Sequence, residues 1–223
     1  MEWLNKILPR DSRKRYSPEE IDLFEKHLDD HFGPCQSVFH ELISPDGTHI
    51  DIYVIEPTGK YPCYRLITCG MGARQMSLPR EARGQVPDHI ELMLSLPADW
   101  RFDEKSMEEE RFNWPVSLLK YLARFPWSES TWLGWGHTLP LEPFADNTQL
   151  SGVFIDAPEH YPFDAFEIVF PEKRAVYIFQ AVPVYAEEID YAVEHGSEEL
   201  EKLLKDVVSR PVDVTRRNCA GGK

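Results

Sequence analysis

The stretch from Gly134 to Phe154, GWGHTLPLEPFADNTQLSGVF, gathers residue types that a reaction centre would use. His137 follows a Gly-Trp-Gly turn, Asp146 sits among turn-formers, and His160 and Asp164 come shortly after. Imidazole and carboxylate groups of this kind hold zinc or other transition metals when they converge. Their spacing matches no local metal motif, and isolated His and Asp residues beside strands more commonly cap turns or accept hydrogen bonds. His27 and His31 stand at i and i+4 in HLDDH, but Leu28 occupies the place where a zinc protease needs glutamate. A solvated helix face is the better reading there. Cys69, in ITCGMG at a strand end, is the one thiol placed for nucleophilic attack, with His89 or His137 as its candidate base. A lone cysteine in such a place more often packs as a small apolar residue.

Other chemistries drop out. No G-x-x-x-x-G-K-[ST] is present, and Gly134-Trp135-Gly136 leads into His137-Thr138-Leu139-Pro140, which cannot open the helix that dinucleotide binding requires. There is no G-x-S-x-G elbow. Two readings of the stretch remain. One is a hydrolase or metal-dependent enzyme using His137, His160 and Asp146, or Cys69. The other, which the residue types favour, is a framework: Gly134 and Gly136 permit a tight backbone path, Trp132 and Trp135 pack, and His137 and Asp146 hydrogen-bond the loop in place. On that reading there is no catalytic residue, no metal and no cofactor.

Charge narrows the partners. The 223 residues carry 24 Lys and Arg against 38 Asp and Glu, a net charge of -14. Such a surface repels a phosphate backbone and attracts a basic protein or peptide. The four cysteines, Cys35, Cys63, Cys69 and Cys219, show no paired spacing, which points to free thiols in a reducing compartment. No run approaches the roughly 20 apolar residues of a membrane span. These features predict a cytoplasmic protein.

The elements that would position these residues are partly legible. Ser17, Pro18 and Glu20 form an S-x-x-E start, followed by Ile21, Phe24, Leu28 and Phe32 at helical spacing and a stop at Gly33-Pro34. QSVFHELISPDGTHIDIYVIEP predicts two strands joined around Pro45, Asp46 and Gly47. YRLITCGMG and DHIELMLSLP predict two more, the second with Ile90, Leu92, Leu94 and Leu96 on one face. The loop from Met71 to Pro87 between them is too long for a simple hairpin. NWPVSLLKYLARFP predicts a helix capped by Asn113 and stopped by Pro126. LSGVFI and FEIVF predict strands, and the apolar run from Ala175 to Val184 suits a central strand covered on both faces. Helices over AEEIDYAVEHG and SEELEKLLKDVV close the domain. Without a regular βαβ alternation, the order predicts an α+β fold, a mixed or antiparallel sheet with helices packed on it. The expected organisation is a basic extension over 1–16, one domain over 17–208, and a loose tail over 209–223.

The segments LITCGMGARQM, DHIELMLSLP, FNWPVSLLKYLARFPWSESTWLGWGHTLP, LSGVFIDAP and AVYIFQAVPVYAEEIDYAVEHGSEELEKLL, in this order, resemble the suppressor-of-fused (SUFU) domain family, and its compact bacterial members in particular. The resemblance covers most of the chain; within it fall the turn at Gly136, His137 and Thr138 and the strand carrying Glu91, Leu92, Leu94 and Leu96. It implies a binding protein rather than an enzyme. Animal relatives sequester a transcription factor by adding a short peptide of it as a strand beside the sheet, and bacterial relatives include immunity proteins that neutralise toxins. Within these residues no counterpart of the second large domain of the animal proteins is expected. Their peptide-contacting tyrosine falls near Gln75 or Met76 and is not kept.

Strand addition needs an exposed sheet edge, and the Met71–Pro87 loop beside the Ile90 strand is the expected place. The expected partner-binding residues are Met71, Gly72, Gln75, Met76, Asp88 and Ile90. Self-association into a homodimer through an apolar edge is a third reading.

Overall fold

The computed structural model describes residues 15–221 except 42, 43, 45, 46 and 159. Most of the basic extension expected over 1–16, and the turn residues Pro45 and Asp46, therefore lie outside the described residues.

Helix α1 (Pro18–His31) starts as its sequence requires. The Ser17 hydroxyl accepts the Glu20 amide, the Glu20 carboxylate accepts the Ser17 amide, and Pro18 fills a position where no intrahelical donor is needed. Its inner face buries Phe24 and Leu28 completely.

Among the described residues eight strands form one sheet: β1 (Cys35–Phe39), β2 (Asp51–Ile55), β3 (Cys63–Cys69), β4 (Ile90–Pro97), β5 (Thr138–Pro140), β6 (Gly152–Asp156), β7 (Glu167–Val169) and β8 (Ala175–Val184). Their order is β1-β2-β3-β4-β8-β6-β5, with β7 paired to the start of β8. Every pairing is antiparallel except that of β4 with β8. The sheet is thus mixed, and β8 is the central covered strand that its apolar run predicted.

Alternation sends successive side chains to opposite faces. Ile52, Val54, Ile90, Leu92, Leu94 and Leu96 join the core shared with α3 (Glu110–Leu122), whereas Tyr53, Ile55, Ile67 and Met93 meet Phe24 and Leu28 of α1. A third cluster sets Phe154, Val182 and Val184 against α5 (Ala186–His195), α6 (Ser197–Leu203) and α7 (Lys205–Val208). Short helices α2 (Glu104–Met107) and α4 (Phe125–Ser128) flank α3.

Two expectations change. Helix α3 begins at Glu110, not at a cap on Asn113, whose side chain instead donates to the Met107 carbonyl. Pro115 is tolerated close to the helix start, where its missing N–H leaves only one early carbonyl unmatched. The segment after Val208, expected to be loose, is docked: the Val212 amide donates to Ser95, Thr148 donates to the Val214 carbonyl, and Arg216 pairs with Glu188. Long-range side-chain contacts hold it, and these leave no periodicity in the sequence.

Candidate protein-binding site

Glu91 is the hub beneath the Met71–Pro87 loop. Its side chain is wholly buried in β4 and accepts hydrogen bonds from the Tyr16 hydroxyl at 2.7 Å, the Gly70 amide at 2.9 Å, the Gly72 amide at 2.8 Å and the Thr68 hydroxyl. Burial pushes its carboxyl up to about 7, against the pull of those donors. The turn from Gly70 to Gly72 must pass close to it. Gly70 has φ 119°, and a Cβ there would lie 2.0 Å from the His49 carbonyl oxygen; a Cβ on Gly72 would lie 2.5 Å from both the Tyr16 hydroxyl and Val176. The Gly72 carbonyl in turn accepts from His89 Nδ1 and from Arg174. One carboxylate thereby ties the start of α1, the end of β3 and the start of the loop together. A charge inside the apolar run HIELMLSLP is the sequence signal for it.

The residues expected to meet a partner fall into two groups. Met71, Gly72, Met76 and Ile90 are buried, and Ile90 belongs to a strand lying between β3 and β8. The sheet therefore has no open edge at Ile90, which corrects the expectation: the loop folds down onto β4 instead of standing beside a free edge, and its methionines fill the core. Gln75 and Asp88 are only half-buried. Gln75 Nε2 donates to Asp88 at 2.5 Å, and the Met76 amide donates to the Asp88 carbonyl, so the two ends of the loop are clipped together.

Open edges lie elsewhere. Among the described residues β1 is the outermost strand, paired only with β2, and its residues Gln36 and Ser37 are exposed. At the other end β5 is three residues long and terminates in Pro140, features that blunt an edge. A third opening arises where β4 parts from β8 after Met93. The docked segment after Val208 fills that gap through Val212 and Ser95.

The stretch from Gly134 to Phe154 forms a tight corner. Gly136 has φ 84°, and its amide donates to the Ile155 carbonyl while the Ile155 amide donates to His137. A Cβ on Gly134 would meet the Trp132 ring at 2.5 Å, and that ring lies 4.1 Å from the His137 imidazole. Trp135, expected to pack, is 55% exposed, and its Nε1 donates to Asp156. Asp146 is exposed and has no side-chain hydrogen bond among the described residues. Thr148, not Asp146, ties this part of the loop, accepting the Leu150 amide and donating to the Val214 carbonyl.

Comparison with known proteins agrees with this arrangement. The family model for suppressor of fused protein (SUFU) matches residues 46–218. The chain belongs to the SUFU family. An uncharacterized protein of Ureaplasma parvum serovar 3 is 24% identical over 205 residues, spanning 92% of this chain and 97% of its own. Among solved structures, a SUFU homolog from Neisseria gonorrhoeae is similar with a TM-score of 0.65 at 14% identity, covering 93% of this chain and all of the other. A Sufu–Fu complex is similar at 0.62 and 14% identity, with 93% of each chain covered. Drosophila Suppressor of Fused is similar at 0.60 and 14% identity, and there this chain covers only 51% of the other protein.

Within this SUFU domain the groups considered for catalysis are engaged separately. Burial lowers the His137 pKa, and His137 meets the Trp132 ring edge to face. His160 Nε2 lies 2.8 Å from the Val208 carbonyl. The Cys69 thiol is raised far above its ordinary value by burial and by the nearby carboxylates of Glu91, Asp51 and Glu25, which opposes the thiolate that nucleophilic attack requires. Among the described residues, no three His, Cys, Asp or Glu side chains form a group that could hold a metal ion. Among the same residues, no helix is long and apolar enough to cross a membrane.

Proposed function

We propose that this SUFU domain is a non-enzymatic protein-binding module that receives an extended, basic segment of its partner along the outer edge of β1. Its membership of the family and its likeness to a structure of a Sufu–Fu complex support a protein partner. The observation that carries the site is β1 itself. It is five residues long, pairs on one side only among the described residues, and presents Gln36 and Ser37 to solvent. Added strands bond to the backbone of such an edge and take specificity from alternate side chains. The carboxylates of Glu25 and Asp29 lie close enough to help burial raise the Cys35 thiol, so one end of the edge is acidic. The net charge of -14 adds long-range attraction for a cationic partner. An immunity-type role, in which the captured protein is a cationic toxin, follows from the same attraction.

The test is an array of extended nine-residue peptides, half basic and half acidic, probed with the intact chain at low and high salt. Basic peptides should be retained at low salt and released as ionic strength rises. Of the variants Ser37→Pro and Val38→Pro, the one whose N–H points outward should keep the fold and lose the peptides. Equal retention of acidic and basic peptides, or undiminished binding by the folded proline variant, would rule out this edge.

A further inference from the structure

With 38 Asp and Glu residues against 24 Lys and Arg, a cavity with no acid among its described lining residues stands out on this surface. One of about 330 Å³ lies between the turn at Lys60, the segment around Tyr161 and the turn after α7. Exposed Lys60, His160 and Arg210 stand at its rim, half-buried Tyr61 forms a wall, and buried Cys63 and Tyr161 contribute its floor. No Asp or Glu lines it among the described residues.

The surroundings add positive charge. Arg65 is wholly buried, and its guanidinium donates to the carbonyls of Phe32, Glu56 and Tyr61, with no carboxylate in ion-pair contact among the described residues. Its carbon Cζ lies 5.3 Å from the Tyr61 ring centre and Lys60 Nζ lies 4.8 Å from it. Among the described residues, two buried donors here have no acceptor, Arg65 Nε and the Tyr61 hydroxyl. Arg65 does not itself line the cavity; its charge, close to Tyr61, adds to the positive potential that an anion entering between Lys60 and Arg210 would meet.

We infer that this cavity binds a small organic anion, a carboxylate carried on a flat aromatic body. The carboxylate answers Lys60 and Arg210 at the rim through charge-assisted hydrogen bonds. The aromatic body lies against Tyr61 and Tyr161, whose rings stand 4.5 Å apart at 37° and offer faces and edges for offset packing. Inorganic phosphate, more strongly hydrated and without an apolar part, suits these walls poorly. The site is separate from the β1 edge and does not depend on the partner proposed there.

Calorimetry on the intact chain with benzoate, neutral benzamide and inorganic phosphate tests it. Benzoate should saturate, and bind at least about tenfold more tightly than benzamide. The double variant Lys60→Gln, Arg210→Gln should bring benzoate down to the benzamide level while the unfolding midpoint stays unchanged, since both side chains are exposed. Tyr61→Phe should weaken benzoate severalfold. No saturation by about 10 mM, benzamide equal to benzoate, phosphate the tighter ligand, or full affinity in the folded double variant would each overturn the inference.

Discussion

Arg216 meets Glu188 in a two-pronged ion pair, Nη1 to Oε1 at 2.6 Å and Nη2 to Oε2 at 2.5 Å, with the carboxylate side chain wholly buried. The same carboxylate accepts the amides of Tyr185 and Cys219, and Arg216 also donates to the Pro183 carbonyl and covers the Tyr185 ring. The segment that seemed unpatterned in the sequence is therefore fastened to the start of α5 at one point. Arg216→Met leaves Glu188 buried without its counter-charge, and such a loss costs about 3–5 kcal/mol. Urea unfolding should show that drop. A change under about 1 kcal/mol would mean that Val212 and Val214 hold the segment by apolar contact alone.

Glu91 predicts a pH dependence with a definite sign. Its folded pKa of about 7 exceeds the ordinary 4.5, so the folded state holds the proton more tightly than the unfolded chain. The stabilisation is fully present below about 4.5 and disappears as pH rises through about 7, amounting to about 3 kcal/mol. Neutral Glu91 can donate to the Thr68 or Tyr16 hydroxyl, since a hydroxyl also accepts. Unfolding free energies of the wild type and Glu91→Gln, measured side by side from about pH 4.5 to about pH 8, should shift relative to each other in favour of the variant as pH rises. A constant difference would show that Glu91 does not titrate in this window.

The turn above Glu91 sets up a comparison between two glycines with positive φ. Gly70 has φ 119° and no room for a Cβ against the His49 backbone, whereas Gly84 has φ 75° and nothing within 4 Å. Gly84→Ala carries only the conformational penalty, about 1–2 kcal/mol. Gly70→Ala adds a backbone clash and should lose about 3–5 kcal/mol. Thermal or urea unfolding of the pair separates crowding from conformation, and equal losses would place no special constraint on the Gly70 turn.

The elements that the sequence made legible are those whose cause is local. Ser17, Pro18 and Glu20 start α1 because a cap acts within one turn, and Ile90, Leu92, Leu94 and Leu96 share the α3 face because alternation is a property of one strand. Partner choice among strands is not local. The parallel pairing of β4 with β8 joins residues that are far apart in the chain, and it turned the expected edge at Ile90 into sheet interior. Arg65 and Glu188 escaped notice, and Glu91 was named only as a member of its strand, for a related reason. A charged residue in an amphipathic segment normally faces water, and only the fold shows that these three are enclosed.

The tryptophans give a final prediction, about whether the Gly134–Phe154 corner is packing framework or presented surface. Trp114 is 3% exposed, stacks on Phe144 with ring centres 4.9 Å apart, and belongs to the core shared by α3 and the sheet. Trp135 is 55% exposed and is held by one hydrogen bond to Asp156, which also accepts the Ala157 amide. Removing a large buried aromatic costs about 3–5 kcal/mol, whereas an exposed one held by a single bond to a carboxylate is worth at most about 1.5–3 kcal/mol. Trp114→Ala should therefore come close to unfolding the domain, and Trp135→Ala should lower its urea midpoint clearly less. An equal loss for Trp135→Ala would assign the indole a packing role despite its exposure. The expected smaller loss instead leaves Trp135 as an exposed aromatic on a rigid corner, free to contact a partner without carrying the fold.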